Sequence, residues 1–394
     1  MDAALWRSDA AFASLATFPL VATGGFWYLP VVDETAFREL VSGERRGPAA
    51  AGFRCVLWLM QWPYRAVIGA RNLGYHLRVF PSQSVDARII SIGNLTTGGT
   101  GKTPLVAWLA EYLRKTGHRV GLLSRGYRGE EDGTGNDEKK LLEALCGDIP
   151  HVQDPDRVSG AGRAINVHGC NVLILDDGFQ HRRLDRDLDI VLVDATCPFG
   201  YGHLLPRGIL REPIGSLGRS SIIVLTRVDH LDPPQRDSLK QQVMALAGHD
   251  RVAEVAFPTV GLINADGSTQ SLEELSRARV AAFCGIGNPE AFFDSLPVVT
   301  RRAFPDHHLY TDDDLDTLAQ WAAESGADLL LTTRKDLVKI PHSRLGPTPL
   351  WAVDTGLDWV SGFDVVEQGL EALLLNCSPK DDRSSPAVHR SERA

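Results

Sequence analysis

Gly98-Gly99-Thr100-Gly101-Lys102-Thr103 brings unhindered backbone, a cation and a hydroxyl into one turn. An apolar strand pattern at residues 88–95 runs into it and a helical pattern at residues 103–116 leaves it. Backbone N–H groups of such a turn, backed by the positive end of a helix, cradle a polyphosphate, while the lysine reaches the outer phosphates and the threonine hydroxyl meets Mg²⁺. The strict pattern asks for glycine where this chain has Thr96, followed by Thr97, but three glycines still keep the backbone open. The span from Thr96 to Thr103 is therefore the candidate cradle of a nucleoside triphosphate. A glycine-rich turn without a ligand is the alternative, and the flanking strand and helix speak against it.

Other chemistry sits where apolar runs end. Residues 171–175 run into Asp176-Asp177-Gly178-Phe179-Gln180-His181, the form expected of carboxylates that hold Mg²⁺ directly or through water. Paired aspartates there also serve as turn and capping residues. A later strand ends at Asp194, and the next at Thr226-Arg227-Val228-Asp229, which lacks the asparagine and lysine of a guanine-reading motif, so GTP is not inferred. Ser124-Arg125-Gly126-Tyr127-Arg128 offers arginines to an anionic substrate, and Asp137-Glu138 opens a helical run as either a cap or a base. On the residues alone, the cap is the simpler reading of Asp137. Arg207 and Arg211 lie in a proline-bounded loop suited to phosphate recognition, and Phe304-Pro305-Asp306-His307-His308 places an imidazole where it can support proton transfer.

These exits need a scaffold. Apolar runs at 88–95, 119–124, 171–175, 189–193, 221–225, 252–257, 279–284, 328–331 and 350–353 alternate with helical patterns at 103–116, 234–246, 289–295 and 312–325. Continuous apolar strands separated by helices predict a parallel sheet covered on both faces, with ligands beyond the carboxyl ends of its strands. The expected fold is α/β, a P-loop NTPase-type parallel sheet with a smaller C-terminal α/β lobe and an N-terminal membrane-associated helix. The expected divisions are an extension over 1–37, a membrane-associated segment over 38–81, the nucleotide lobe over 82–265, the smaller lobe over 266–377, and a disordered polar tail over 378–394.

A net charge of -9 argues against nucleic-acid binding by global electrostatics. Six cysteines without a Cys-x-x-Cys pair suggest neither a zinc site nor a disulfide framework and fit a reducing compartment. Residues 10–32 carry no charge until Asp33, at the length of a membrane span of about 20 residues, although Pro19, Gly24, Gly25 and Pro30 weaken a helix. Residues 52–70 mix Phe53, Trp58, Met60 and Trp62 with Arg54 and Arg65 and hold no acid, which describes a helix lying in an anionic membrane interface. Packing on the sheet is the plainer alternative.

Taken in order, these segments resemble the tetraacyldisaccharide 4'-kinase family, the lipid A 4'-kinases. The likeness is carried by residues 92–104, Ser124-Arg125-Gly126-Tyr127, Asn136-Asp137-Glu138, Asp176-Asp177-Gly178-Phe179-Gln180-His181, Leu210-Arg211-Glu212-Pro213, Gly285-Ile286-Gly287-Asn288-Pro289 and Asp306-His307, across residues 38–375. It implies an ATP- and Mg²⁺-dependent kinase at the cytoplasmic face of a bacterial inner membrane. Its acceptor would be the 4'-hydroxyl of an acylated glucosamine disaccharide 1-phosphate and its product lipid IVA. The family's phosphate loop also lacks the first glycine. Carried onto this chain, Lys102 and Thr103 would bind phosphate and Mg²⁺, and Asp176 and Asp177 would coordinate the metal. Asp137 would be the general base with His307 as its partner, and Gln180, Arg211 and Glu212 would belong to the nucleotide end. The resemblance thus replaces the cap reading of Asp137. A monomer at a membrane surface, with no nucleic acid, is the expected assembly. The competing reading is a switch or carrier ATPase at the membrane, whose loop would carry a signature lysine where this chain has Thr97.

Overall fold

The computed structural model describes residues 34–126, 137–287, 289–294 and 296–375. The expectations for the uncharged stretch 10–32, for Tyr127, Arg128 and Asn136, for Asn288 and for the tail fall outside the described residues. Two helices come first, α1 (Glu34–Ser42) and α2 (Pro48–His76). Then follow β1 (Arg88–Asn94), α3 (Lys102–Lys115), β2 (Val120–Ser124), α4 (Asp137–Cys146), β3 (His151–Gln153), α5 (Arg157–His168), β4 (Val172–Asp176), β5 (Leu188–Asp194), β6 (Ile222–Thr226), α6 (Pro233–Ala247) and β7 (Val252–Ala256).

From β1 to β7 the strands form one sheet in the order β7-β6-β5-β1-β4-β2-β3, all parallel. Burial on both faces explains why they read as unbroken apolar runs; β4, β6 and β7 are buried at every position. Leu105, Leu109 and Leu113 of α3 recur at helical spacing and pack under Ile90, Ile92 and Ile174, seating the helix behind the phosphate loop.

A second sheet uses β8 (Thr259–Ile263), β9 (Thr269–Gln270), β10 (Val280–Cys284), β11 (Val298–Ala303), β12 (Leu329–Thr333), β13 (Arg344–Leu345) and β14 (Thr348–Thr355). Its order is β11-β10-β12-β14-β8-β9, with β13 on β14. Around it lie α7 (Pro289–Asp294), α8 (Asp312–Glu324) and the short α9 (Arg334–Leu337). Thr311 and Asp314 close a capping box at the start of α8, which fixes the chain just after His307 and His308.

The chain then returns to the first lobe. β15 (Asp358–Ser361) pairs antiparallel with β7, and α10 (Phe363–Leu374) packs Val366 and Leu370 into the core of the first sheet. The lobes therefore divide differently from the expected 82–265 and 266–377: the second sheet takes residues 259–355, and 358–374 belong to the nucleotide lobe. Trp359 meets Trp108 edge to face at 4.9 Å, an aromatic contact that only this return provides.

α2 is docked through polar groups. The Tyr64 hydroxyl donates to the Arg211 carbonyl at 2.8 Å, Asn72 Nδ2 donates to Glu212 Oε2 at 3.1 Å, and Arg71 donates to the Gln180 carbonyl. Phe53, Val56, Trp58, Leu59, Met60 and Trp62 are exposed. Among the described residues no helix is long and apolar enough to cross a membrane.

Candidate phosphotransfer site

β1 ends at Asn94, and the loop after it is held by backbone from a distant segment. Thr97 N donates to the Ile209 carbonyl at 2.8 Å, Arg211 N donates to the Leu95 carbonyl at 2.7 Å, and Thr96 bridges Leu210. Thr96 is thus buried loop framework, and Thr97 is tied by its backbone to the same segment. Thr100 is buried too: its hydroxyl accepts from Asn94 Nδ2 at 2.9 Å, and its carbonyl accepts from Thr226 Oγ1 at 3.0 Å.

Gly98 and Gly101 adopt φ of 103° and 83°, conformations that glycine takes without strain. A Cβ on Gly101 would lie 2.3 Å from the Phe257 ring, so any larger residue would have to displace that ring as well as adopt a strained backbone. Gly101 caps α3 with no side-chain acceptor. The first amides of α3 are consequently available to an anion, and the helix dipole favours one.

The two aspartates at the end of β4 differ. Asp177 takes φ of 52°, and its carboxylate accepts from Arg211 at 2.6 and 2.9 Å and lies 3.4 Å from Lys102 Nζ. Burial alone would raise its carboxyl, but the Lys102 and Arg211 charges outweigh burial and hold it well below the usual carboxylate range. Its side chain keeps 39% of its accessible surface, so it stays open to a ligand. Asp176 is buried, its Oδ1 has no hydrogen-bond partner, and burial pushes its carboxyl up to about 7 against the opposing pull of Lys102. A buried carboxylate oxygen without a hydrogen-bond partner is chemically suited to a hard cation, and Asp176, Asp177 and the Thr103 hydroxyl are the oxygens that would hold Mg²⁺ there. Among the described residues no cluster of three or more His, Cys, Asp or Glu forms a fuller metal cage.

Gln180 and Glu212 were expected at the nucleotide end, and their contacts give them other work. Gln180 Nε2 donates to the Asn94 carbonyl at 2.8 Å, bracing the end of β1, while its carbonyl receives Arg71 of α2. Glu212 is fully buried between Arg219, 2.9 Å away, and Asn72. Arg219 in turn lies over the Phe179 ring. The Glu212 carboxylate meets Asn72 of α2 and Arg219, while its neighbour Arg211 faces Asp177.

On the same lobe as the phosphate loop, Asp137 is the first residue of α4 and only 1% exposed. Two groups from the second lobe meet its Oδ2: His307 Nδ1 at 3.4 Å and Lys339 Nζ at 3.0 Å. The sequence-based pairing of Asp137 with His307 is thus brought together across the lobes. Lys335 Nζ lies 3.3 Å from His307 Nε2 and 2.8 Å from Asp306 Oδ1. An ammonium only donates, so Nε2 accepts and the imidazole proton is assigned to Nδ1, facing Asp137. α4 is near enough to the metal site for the Glu138 charge to raise the Asp176 carboxyl.

Lys335, Asp336 and Lys339 were not found from the sequence. The signal was present in Thr333-Arg334-Lys335-Asp336, a charged exit from a buried strand like those read elsewhere.

A phosphate loop on a parallel sheet, a pair of aspartates at the end of an adjacent strand and a buried carboxylate met by an imidazole from the second lobe are the parts of a nucleotide-dependent phosphotransferase. Residues 53–374 match the sequence pattern described as tetraacyldisaccharide-1-P 4'-kinase. The tetraacyldisaccharide 4'-kinase of Anaeromyxobacter sp. (strain K) is 36% identical over 353 residues, covering 84% of this chain and 93% of that protein. That of Anaeromyxobacter dehalogenans (strain 2CP-C) is 37% identical, covering 83% and 92%. The crystal structure of the "apo" form of LpxK from Aquifex aeolicus in complex with ATP superposes with a TM-score of 0.66 at 27% identity, covering 82% of this chain and 99% of that one. This chain belongs to the tetraacyldisaccharide-1-P 4'-kinase family.

Proposed function

We propose that this chain moves the γ-phosphate of ATP to the 4'-hydroxyl of a tetraacyldisaccharide 1-phosphate, giving lipid IVA, with Asp137 as the general base. One observation carries the assignment of the base: a carboxylate 1% exposed, at the edge of the phosphate-loop lobe, faces an imidazole supplied by the other lobe at 3.4 Å. The amides of the loop and Lys102 hold the polyphosphate, and Arg211 keeps Asp177 ionised beside it. Mg²⁺, held by Asp176, Asp177 and Thr103, supplies charge neutralisation across the phosphate oxygens when bound. Asp137 takes the hydroxyl proton as the sugar oxygen meets phosphorus and the bond to ADP breaks, and His307, its Nδ1 3.4 Å from Asp137 Oδ2, orients the carboxylate.

The exposed aromatic face of α2, with Arg54 and Arg65 beside it, supports a place at the cytoplasmic face of the inner membrane, where a soluble core reaches an acylated substrate. A single chain supplies both lobes of the site, which supports a monomer. The test uses radiolabelled ATP and the acylated disaccharide in detergent micelles: label in the lipid supports the kinase, whereas phosphate release without lipid labelling supports a switch ATPase. Asp137→Asn is expected to lower kcat by about 10²–10⁴-fold while ATP affinity stays near wild type. Near-normal turnover would remove Asp137 from the mechanism.

A further inference from the structure

Lys339 follows α9 in the second lobe, with a side chain only 3% exposed. A lysine so far from water must be fully partnered. Its Nζ donates to Asp336 Oδ1 at 3.2 Å and to the His308 carbonyl at 3.1 Å, forms an ion pair with Asp137 Oδ2 at 3.0 Å, and sits 5.8 Å from the centre of the Tyr310 ring. Asp336 is itself immobilised: its Oδ2 accepts from Gly285 N at 2.9 Å and from Thr333 Oγ1 at 2.7 Å. The ammonium is therefore delivered to Asp137 from a rigid anchor rather than from a free side chain.

Lys339 Nζ and His307 Nδ1 both lie at ion-pair distance from Oδ2, 3.0 and 3.4 Å, and neither carboxylate oxygen of Asp137 has a hydrogen-bond partner among the described residues. We infer that Lys339 is a positioning residue for phosphoryl transfer: its ammonium, paired with Asp137 Oδ2, offsets the charge of the carboxylate and fixes where it receives the acceptor proton. The inference rests on Asp137 being the base. It also gives the second lobe a chemical duty, because α9 touches α4 and so carries the ammonium to the nucleotide lobe. The charged and titratable groups around Asp137 are Lys339 and His307 beside it, Asp336 behind the first, Lys335 and Asp306 behind the second, and Glu138, Lys139 and Lys140 on its own helix.

The experiment measures kcat and KM for ATP in wild type, Lys339→Met, Lys339→Gln, Asp137→Asn and the Asp137→Asn, Lys339→Met double variant. The expected result is a kcat lower by about 10–100-fold with KM for ATP within about twofold, because the loss falls on the proton-accepting group and not on the phosphate loop. In the Asp137→Asn background the second substitution should cost nothing further, since the group it serves is gone. A KM for ATP that rises as kcat falls, or a loss that adds in full to that of Asp137→Asn, overturns the inference. Lys339→Gln keeps the reading available should Lys339→Met fold poorly, because it removes the same charge and its kcat reports that loss. Retained turnover in Asp137→Asn sinks the base assignment and this inference with it; an inactive Asp137→Asn with unchanged kcat in the Lys339 variants sinks this inference alone.

Discussion

Neighbouring aspartates 176 and 177 hold opposite electrostatic positions although one peptide bond separates them. Asp177 is paired with two cations, whereas Asp176 is buried with an oxygen left over. The raised Asp176 carboxyl has a consequence for stability. Its native form binds a proton more tightly than the unfolded chain does, so its stabilising contribution is full below the ordinary value near 4 and is lost as pH rises through about 7. Without metal, Asp176→Asn should melt at the same temperature as wild type at pH 4 and a few degrees higher at pH 8, the gap reflecting on the order of a few kcal/mol. Calorimetry at both pH values checks this, and Mg²⁺ with ATP should close the gap by favouring the ionised wild type. A gap that shrinks as pH rises would contradict the burial account.

At the scale of elements, what was legible depended on burial. The phosphate loop and the strands over 88–95, 171–175, 189–193 and 221–225 were plain because burial on both faces demands unbroken apolar runs, and β1, β4, β5 and β6 bear them out. β15 and β11 were not: β15 has four residues at a sheet edge, and β11 alternates half-buried and exposed positions around Arg301 and Arg302, with none fully buried. Site residues divide the same way. Lys102, Asp176 and Asp177 declare themselves by local spacing, while Asp137, His307 and Lys339 come from separate segments whose meeting is a property of the lobes. α2 was readable as amphipathic, but its polar docking through Tyr64, Arg71 and Asn72 was not. That docking leaves its aromatic face outward, so Trp58→Glu with Trp62→Glu should weaken binding to vesicles of anionic lipid by tenfold or more, about 1–2 kcal/mol lost per buried aromatic. Sedimentation with the vesicles reads the loss, and the melting temperature should stay put because both side chains are exposed.

The whole molecule is a nucleotide lobe interrupted by a second sheet and then completed. The chain leaves the first sheet after β7, builds β8 to β14, and comes back as β15 and α10. β15 covers the edge of β7, which would otherwise present unpaired backbone. α10 fills the core with Val366 and Leu370, and Trp359 and Phe363 close over Trp108. The two lobes are thus joined at both ends of the inserted sheet, which holds His307 and Lys339 against Asp137 more firmly than one linker would. A chain stopped after Gly356 keeps every residue assigned to chemistry, yet it loses this closure. Removing two fully buried aliphatic side chains and the aromatic cover should cost on the order of 5 kcal/mol or more, most of the stability of an ordinary domain. The truncated protein should therefore aggregate or melt at least ten degrees lower, bind a hydrophobic dye and lose ATP binding, although it lacks no phosphate contact. Wild-type melting and nucleotide affinity in that variant would show instead that the nucleotide lobe is complete at β7 and that the return serves only to tether the lobes.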